Sequence, residues 1–109
     1  MNRLHVQDLL SFAQAHPGLV LLDVREPWEV ALAPLVLEGV TTTAIPMREV
    51  PERYPELPTQ QAVVCFCHHG MRSAQVVAFL MQHGLEAVYN LEGGTDAWAR
   101  QVAPDMPRY

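Results

Sequence analysis

Residues Cys67-His68-His69-Gly70-Met71-Arg72-Ser73 constrain the fold most, because they separate two apolar runs of different character. Before them stands Ala62-Val63-Val64-Cys65-Phe66, short, β-branched and followed by a break, which predicts a buried strand. After them, Ala74 to Met81 is longer, and Gln75 and Gln82 lie seven apart on one narrow face. That spacing predicts a mostly buried helix ending at His83-Gly84, with Gly84 just past the helix end. Cys67 therefore stands where a strand hands over to a helix. Backbone N–H groups converge in such a turn, and a helix N-terminus adds partial positive charge. A thiolate placed there is stabilised relative to the thiol and becomes a usable nucleophile near neutral pH. Arg72 adds a permanent cation, and Gly70 lets the loop turn tightly with no Cβ in the way. The stretch describes an anion-binding cup with a sulfur at its base.

The rest of the chain supplies strands and helices in alternation. Leu4-His5-Val6 predicts a short edge strand, and Gln7 to Ala15 a helix closed by Pro17-Gly18. Leu19 to Val24 is an apolar run broken only near its end, as in a parallel strand covered on both faces. Pro27 suits the first turn of a helix running from Trp28 to Ala33. Thr43-Ala44-Ile45 predicts a short strand, Arg48 to Tyr54 a short helix broken by Pro51 and Pro55, and Ala87 to Asn90 another strand. Gly93-Gly94 leads into a last helix from about Thr95 to Val102. The segment from Pro34 to Thr43 predicts no single conformation. Such alternation implies an α/β fold with a mainly parallel sheet, whose ligands bind beyond the carboxyl ends of the strands. Asp23 to Glu26, Ile45 to Met47, Cys67 and Asn90 to Gly94 all fall at such ends, so several loops should wall the cup.

Length and composition exclude several classes. At 109 residues, the chain supports one domain with one core, residues 1–109. A net charge of −5 without a Lys/Arg cluster argues against a nucleic-acid surface. No apolar run is long enough to span a bilayer, and no membrane contact is expected. The first residues, Met1 to His5, lack the apolar segment of a signal peptide, so none is expected. Cys65 and Cys67, two apart on one strand, are too close for an unstrained mutual disulfide. Reduced thiols and a cytoplasmic setting are the expectation. A monomer is the default at this size.

The loop resembles the active-site loop of the rhodanese family, sulfurtransferases that carry sulfur as a cysteine persulfide. Cys67, Gly70, Arg72 and Ser73 match its Cys-x-x-Gly-x-Arg-Ser pattern. Leu21-Leu22-Asp23-Val24-Arg25-Glu26 and the segment from Tyr89 to Trp98 (Tyr-Asn-Leu-Glu-Gly-Gly-Thr-Asp-Ala-Trp) resemble family segments in the same order. The resemblance implies a rhodanese-like three-layer domain with a mainly parallel central sheet and helices on both faces. It implies Cys67 as nucleophile, with His68, His69, Gly70, Met71, Arg72 and Ser73 holding substrate and persulfide. Asp23 would fix its loop by hydrogen bonding, and Arg25 would face the mouth of the site. One segment departs from the family. Ile45-Pro46 is present, but the His-Ile start that precedes it in many members is not.

The implied reaction needs no metal and no organic cofactor. A Cys67 thiolate takes sulfane sulfur from a small donor such as thiosulfate, and a thiol or cyanide, or a sulfur-carrier protein, removes it. Other readings compete at individual residues. Cys65, mid-strand between Val64 and Phe66, suits an inert packed thiol. Asp23 and Arg25 could instead be a solvated pair. His68 and His69 are expected to shape loop potential and access, not to act as general bases. Trp28 and Trp98 suit helix packing better than ligand platforms. At the level of the whole chain, two alternatives stand: a non-catalytic rhodanese-like interaction module, and a cysteine-dependent phosphatase. The second usually has five residues between Cys and Arg, where this loop has four.

Overall fold

The structure, a computed structural model, describes residues 1–109. Its strands are β1 (Arg3–His5), β2 (Val20–Asp23), β3 (Thr41–Ala44), β4 (Val63–Phe66) and β5 (Val88–Glu92). They alternate with helices α1 (Leu9–Ala15), α2 (Pro27–Leu32), α3 (Val50–Arg53), α4 (Met71–Gln82) and α5 (Gly94–Gln101). All strand pairs are parallel, in the order β1-β5-β4-β2-β3, so the sheet is wholly parallel where a mainly parallel one was expected.

Side chains of a strand alternate between its two faces, and both faces of this sheet are covered. Val20, Leu22, Val24, Val63, Cys65, Cys67 and Val88 point to one side, where they meet Val50 of α3 and Val76, Val77 and Leu80 of α4. Leu19, Leu21, Ala62, Val64, Phe66 and Leu91 point to the other, against Leu9 of α1 and Ala97 and Trp98 of α5. This is a three-layer α/β fold, and its sheet divides the buried apolar residues into two clusters where a single core was expected. The edge strands are short or polar: three residues in β1, and Thr41-Thr42-Thr43-Ala44 in β3. Such edges resist pairing with another sheet. No helix is long and apolar enough to cross a membrane.

Some elements differ from expectation. α4 begins at Met71, three residues earlier than its apolar run, and buries only one face. Met81 stays 42% exposed, because only Ser73, Val76, Val77 and Leu80 reach the core. The stretch expected as one helix broken by prolines is three short segments, Met47–Glu49, Val50–Arg53 and Tyr54–Glu56, and the last two begin just before Pro51 and Pro55. Each proline falls in the first turn of a short helical segment, where a missing N–H costs nothing. The unassigned stretch from Pro34 buries Leu35 and Leu37 in the α1/α5 core and turns at Gly39, where Val40 N–H donates to Leu37 O at 3.1 Å.

The largest correction concerns Arg25, which lies inside the protein with no exposed surface and not at the mouth of the site. Its guanidinium donates to both carboxylate oxygens of Asp23 (2.9 and 2.8 Å) and to Ala33 O (2.9 Å). Its backbone N–H donates to Asp23 Oδ1 at 3.0 Å, which closes the turn after β2. The pair is therefore buried, not solvated. A buried charge left alone is strongly disfavoured. Asp23→Ala should destabilise the fold by about 3–5 kcal/mol in chemical denaturation. Replacing both partners, Asp23→Leu with Arg25→Met, should cost less, since no charge is stranded.

Candidate active site

Cys67 follows β4 directly and is buried. Its Sγ accepts from the backbone N–H of Gly70 at 3.1 Å and of Ser73 at 3.4 Å. Ser73 lies in the first turn of α4, so the helix start is aimed at the sulfur. Gly70 makes this possible. It caps α4 with φ +98°, a left-handed conformation that costs glycine little. Asn90 of β5 then ties the loop together. It accepts from Ser73 Oγ at 2.5 Å and donates to Gly70 O at 3.1 Å.

The start of α5 holds the other side of the loop. Thr95 N–H donates to Cys67 O at 2.9 Å, and Asp96 N–H donates to His68 O at 3.0 Å. The approach is so close that a Cβ on Gly94 would lie 2.3 Å from Cys67 O and 2.6 Å from His68 O. Gly94, the first residue of α5, therefore permits the close contact with the cysteine loop.

Above the sulfur lies a recess of about 260 Å³, lined by Cys67, His68, His69, Met71 and Arg72. Arg72 is not a free cation there. It grips buried Glu29 of α2 with two bonds of 2.8 Å each. Glu29 Oε2 also accepts from Glu26 N–H (2.9 Å), and Oε1 from the Tyr109 hydroxyl (3.0 Å). The Arg72 hydrogen bonds hold the Glu29 carboxyl down to about 2, against the opposing effect of burial. The same bonds push Arg72 further above its ordinary range, so the pair is ionised at neutral pH. Burial pushes the Cys65 thiol well above its usual range. Burial, with neighbouring His69, lowers His68 below the ordinary imidazole value, which favours a neutral ring near pH 7.

The fold thus brings together Cys67, His68, His69, Gly70, Met71, Arg72 and Ser73 at the carboxyl ends of β4 and β5. Asp23 orders its turn through Arg25 N–H and stands apart from the sulfur loop's hydrogen bonds. Trp98 packs in the core, while Trp28 is 63% exposed and so is no packing residue of that kind. Two contributors, Glu29 and Tyr109, are missing from the sequence reading, which placed Asn90 at a strand end beside the cup but gave it no bonding role. Asn90 had a weak signal for that role, as an amide between Tyr89 and Leu91 in β5. Glu29 had one too, three residues after Glu26 at a helix start. Tyr109 had none.

Glu29 gives a sign to the pH response. Its carboxyl titrates lower folded than unfolded, so its contribution is present above about pH 4.5 and lost as pH falls toward about 2. Glu29→Gln should lose ~2 kcal/mol at pH 7, allowing for the partly exposed Arg72 partner. The gap between the two proteins in denaturation should close across that acid window, not at neutral pH.

A family model described as the rhodanese-like domain matches residues 6–101. Among similar proteins, a sulfurtransferase of Allochromatium vinosum is 41% identical over 88 residues, 79% of this chain and 77% of that protein. A putative sulfurtransferase of Bacillus subtilis, YtwF, is 37% identical over 93 residues, 84% of each chain. The crystal structure of a rhodanese-related protein from Thermoplasma volcanium superposes with a TM-score of 0.79 at 30% identity, covering 95% of this chain and 96% of that one. With its parallel sheet and its cysteine at the end of a central strand, the chain belongs to the rhodanese-like domain family.

Proposed function

We propose that the protein is a sulfurtransferase that moves sulfane sulfur from a small donor such as thiosulfate to a thiophilic acceptor through a Cys67 persulfide. The observation that carries this reading is the pair of N–H groups, from Gly70 and Ser73, directed at Cys67 Sγ below an open recess. Hydrogen bonds of this kind favour the anionic sulfur, both as attacking thiolate and as persulfide.

In the first half-reaction the Cys67 thiolate attacks the outer sulfur of thiosulfate. The donor S–S bond breaks, and sulfite leaves with its electron pair. Cys67 then carries the persulfide anion. In the second, cyanide or a thiolate attacks the outer sulfur and departs with it, as thiocyanate or a new persulfide, and the Cys67 thiolate returns. A thiol in the cell, on a small molecule or a sulfur-carrier protein, fills the acceptor role. Arg72 lines the recess in one orientation because Glu29 holds its fork. Its charge faces the incoming anion without the freedom to swing away.

Two variants test this reading. Excess thiosulfate should add the mass of one sulfur atom to the protein, removable by cyanide. Cys67→Ser should abolish both the mass gain and turnover, whereas Cys65→Ser should keep both. Turnover by Cys67→Ser, or the extra sulfur mapping to Cys65, defeats the assignment. Arg72→Ala should lower kcat/KM for thiosulfate about tenfold to a thousandfold, the range for loss of a charge-stabilising donor. The charge of Glu29, left unpaired beside the recess, adds to that loss. Arg72→Lys should recover only part, because a point charge cannot reproduce the fork.

A further inference from the structure

The segment after α5 returns to the active site and ends its described course at Tyr109, which is held from several directions. Its hydroxyl accepts from Arg25 Nη1 (3.0 Å) and donates to Glu29 Oε1 (3.0 Å), so the phenol is fixed on both counts. The ring meets Trp28 edge-on at 5.9 Å and stacks on His68 at 3.9 Å with 12° between planes. His69 lies on the imidazole too, 3.9 Å away and tilted by 51°. Arg108, one residue earlier, reaches Asp96 at the start of α5 (3.4 Å).

His68 is a wall of the recess above Cys67, and a stacked ring limits how far that wall can swing. We propose that Tyr109 is a specificity-determining residue: it backs the His68 wall and so limits the size of the donor that reaches Cys67. This rests on the sulfur-transfer reading for its consequence in turnover, but not for its effect on access to the sulfur. The hydrogen bonds to Cys67 Sγ come from Gly70 and Ser73, and the Arg72 fork keeps both bonds to Glu29 without Tyr109. Losing the ring therefore widens the mouth and leaves the anion-holding groups in place.

The chemistry with a bulkier donor is the same. The Cys67 thiolate attacks the outer sulfur of benzenethiosulfonate, the S–S bond breaks, and benzenesulfinate leaves with the electron pair. The experiment compares kcat/KM for benzenethiosulfonate and thiosulfate, with cyanide as acceptor, in wild type, Tyr109→Phe and Tyr109→Ala. Alongside, the rates at which iodoacetamide and its N-benzyl derivative alkylate Cys67 are measured by peptide mapping, which needs no turnover. In Tyr109→Ala both bulky-to-small ratios should rise about tenfold, the scale set by a change in pocket volume. Tyr109→Phe keeps the ring but loses both hydroxyl bonds, so its ratios should lie between those of wild type and Tyr109→Ala. His68→Ala should reproduce the rise, and serves as the test if Tyr109→Ala does not fold. Ratios unchanged in folded Tyr109→Ala and in His68→Ala overturn the proposal, as does a Tyr109→Phe protein that matches Tyr109→Ala. If wild type turns over neither donor, the sulfur-transfer reading fails, and the alkylation ratios still decide the role of Tyr109.

Discussion

Two backbone N–H groups pointing at one sulfur organise this protein. Gly70 and Ser73 donate to Cys67 Sγ, and most of the surrounding structure keeps those donors where they are. Asn90 ties Ser73 Oγ to Gly70 O from the neighbouring strand, and α5 binds the carbonyls of Cys67 and His68 from the far side. The loop is thus pulled by its carbonyls in one direction while its N–H groups face the other. A short turn cannot hold such polarity alone. It needs two helix starts beside one strand end, which a parallel sheet provides by gathering the carboxyl ends of its strands.

Charge around the cup is arranged in pairs. Asp23 with Arg25, and Glu29 with Arg72, are joined through the Tyr109 hydroxyl. Each pair brings a carboxylate and a guanidinium into bidentate contact, the geometry that best repays desolvation. The first pair is fully enclosed and closes the turn after β2. The second sits at the recess, where half-exposed Arg72 can face solvent and ligand. Anchoring of this kind trades mobility of the cation for a fixed position, the condition under which a fixed charge can stabilise an arriving anion.

The sequence carried much of this. The contrast between a short β-branched run and a longer helical one around Cys67 identified the strand-to-helix turn, because side-chain period reports secondary structure directly. The different surroundings of the two buried cysteines, Cys65 within β4 and Cys67 under the N–H groups of Gly70 and Ser73, followed from their position relative to that turn. The reading failed where the fate of a charge depends on distant partners. Arg25 follows a strand end, and local spacing says nothing of whether it turns inward. Asp23, the carbonyls of Glu29 and Ala33, and Tyr109, converging from three segments, make its burial tolerable. Arg72 was legible as a cation near the sulfur, but its tether to Glu29 spans 43 residues.

The sequence by itself therefore determined the α/β class, the strand-to-helix loop at Cys67 and which of the two sulfurs stands in that loop. These rest on local periodicity and on glycine where the backbone must turn, both of which act over a few residues. Tertiary structure alone decided which face of α4 is buried, where Arg25 and Trp28 lie, that Glu29 and Tyr109 share the site, and that Asn90 bonds Ser73 and Gly70. Those outcomes depend on desolvation and on pairing across the sheet. Such energies are set by what the fold brings alongside a side chain, not by its neighbours along the chain.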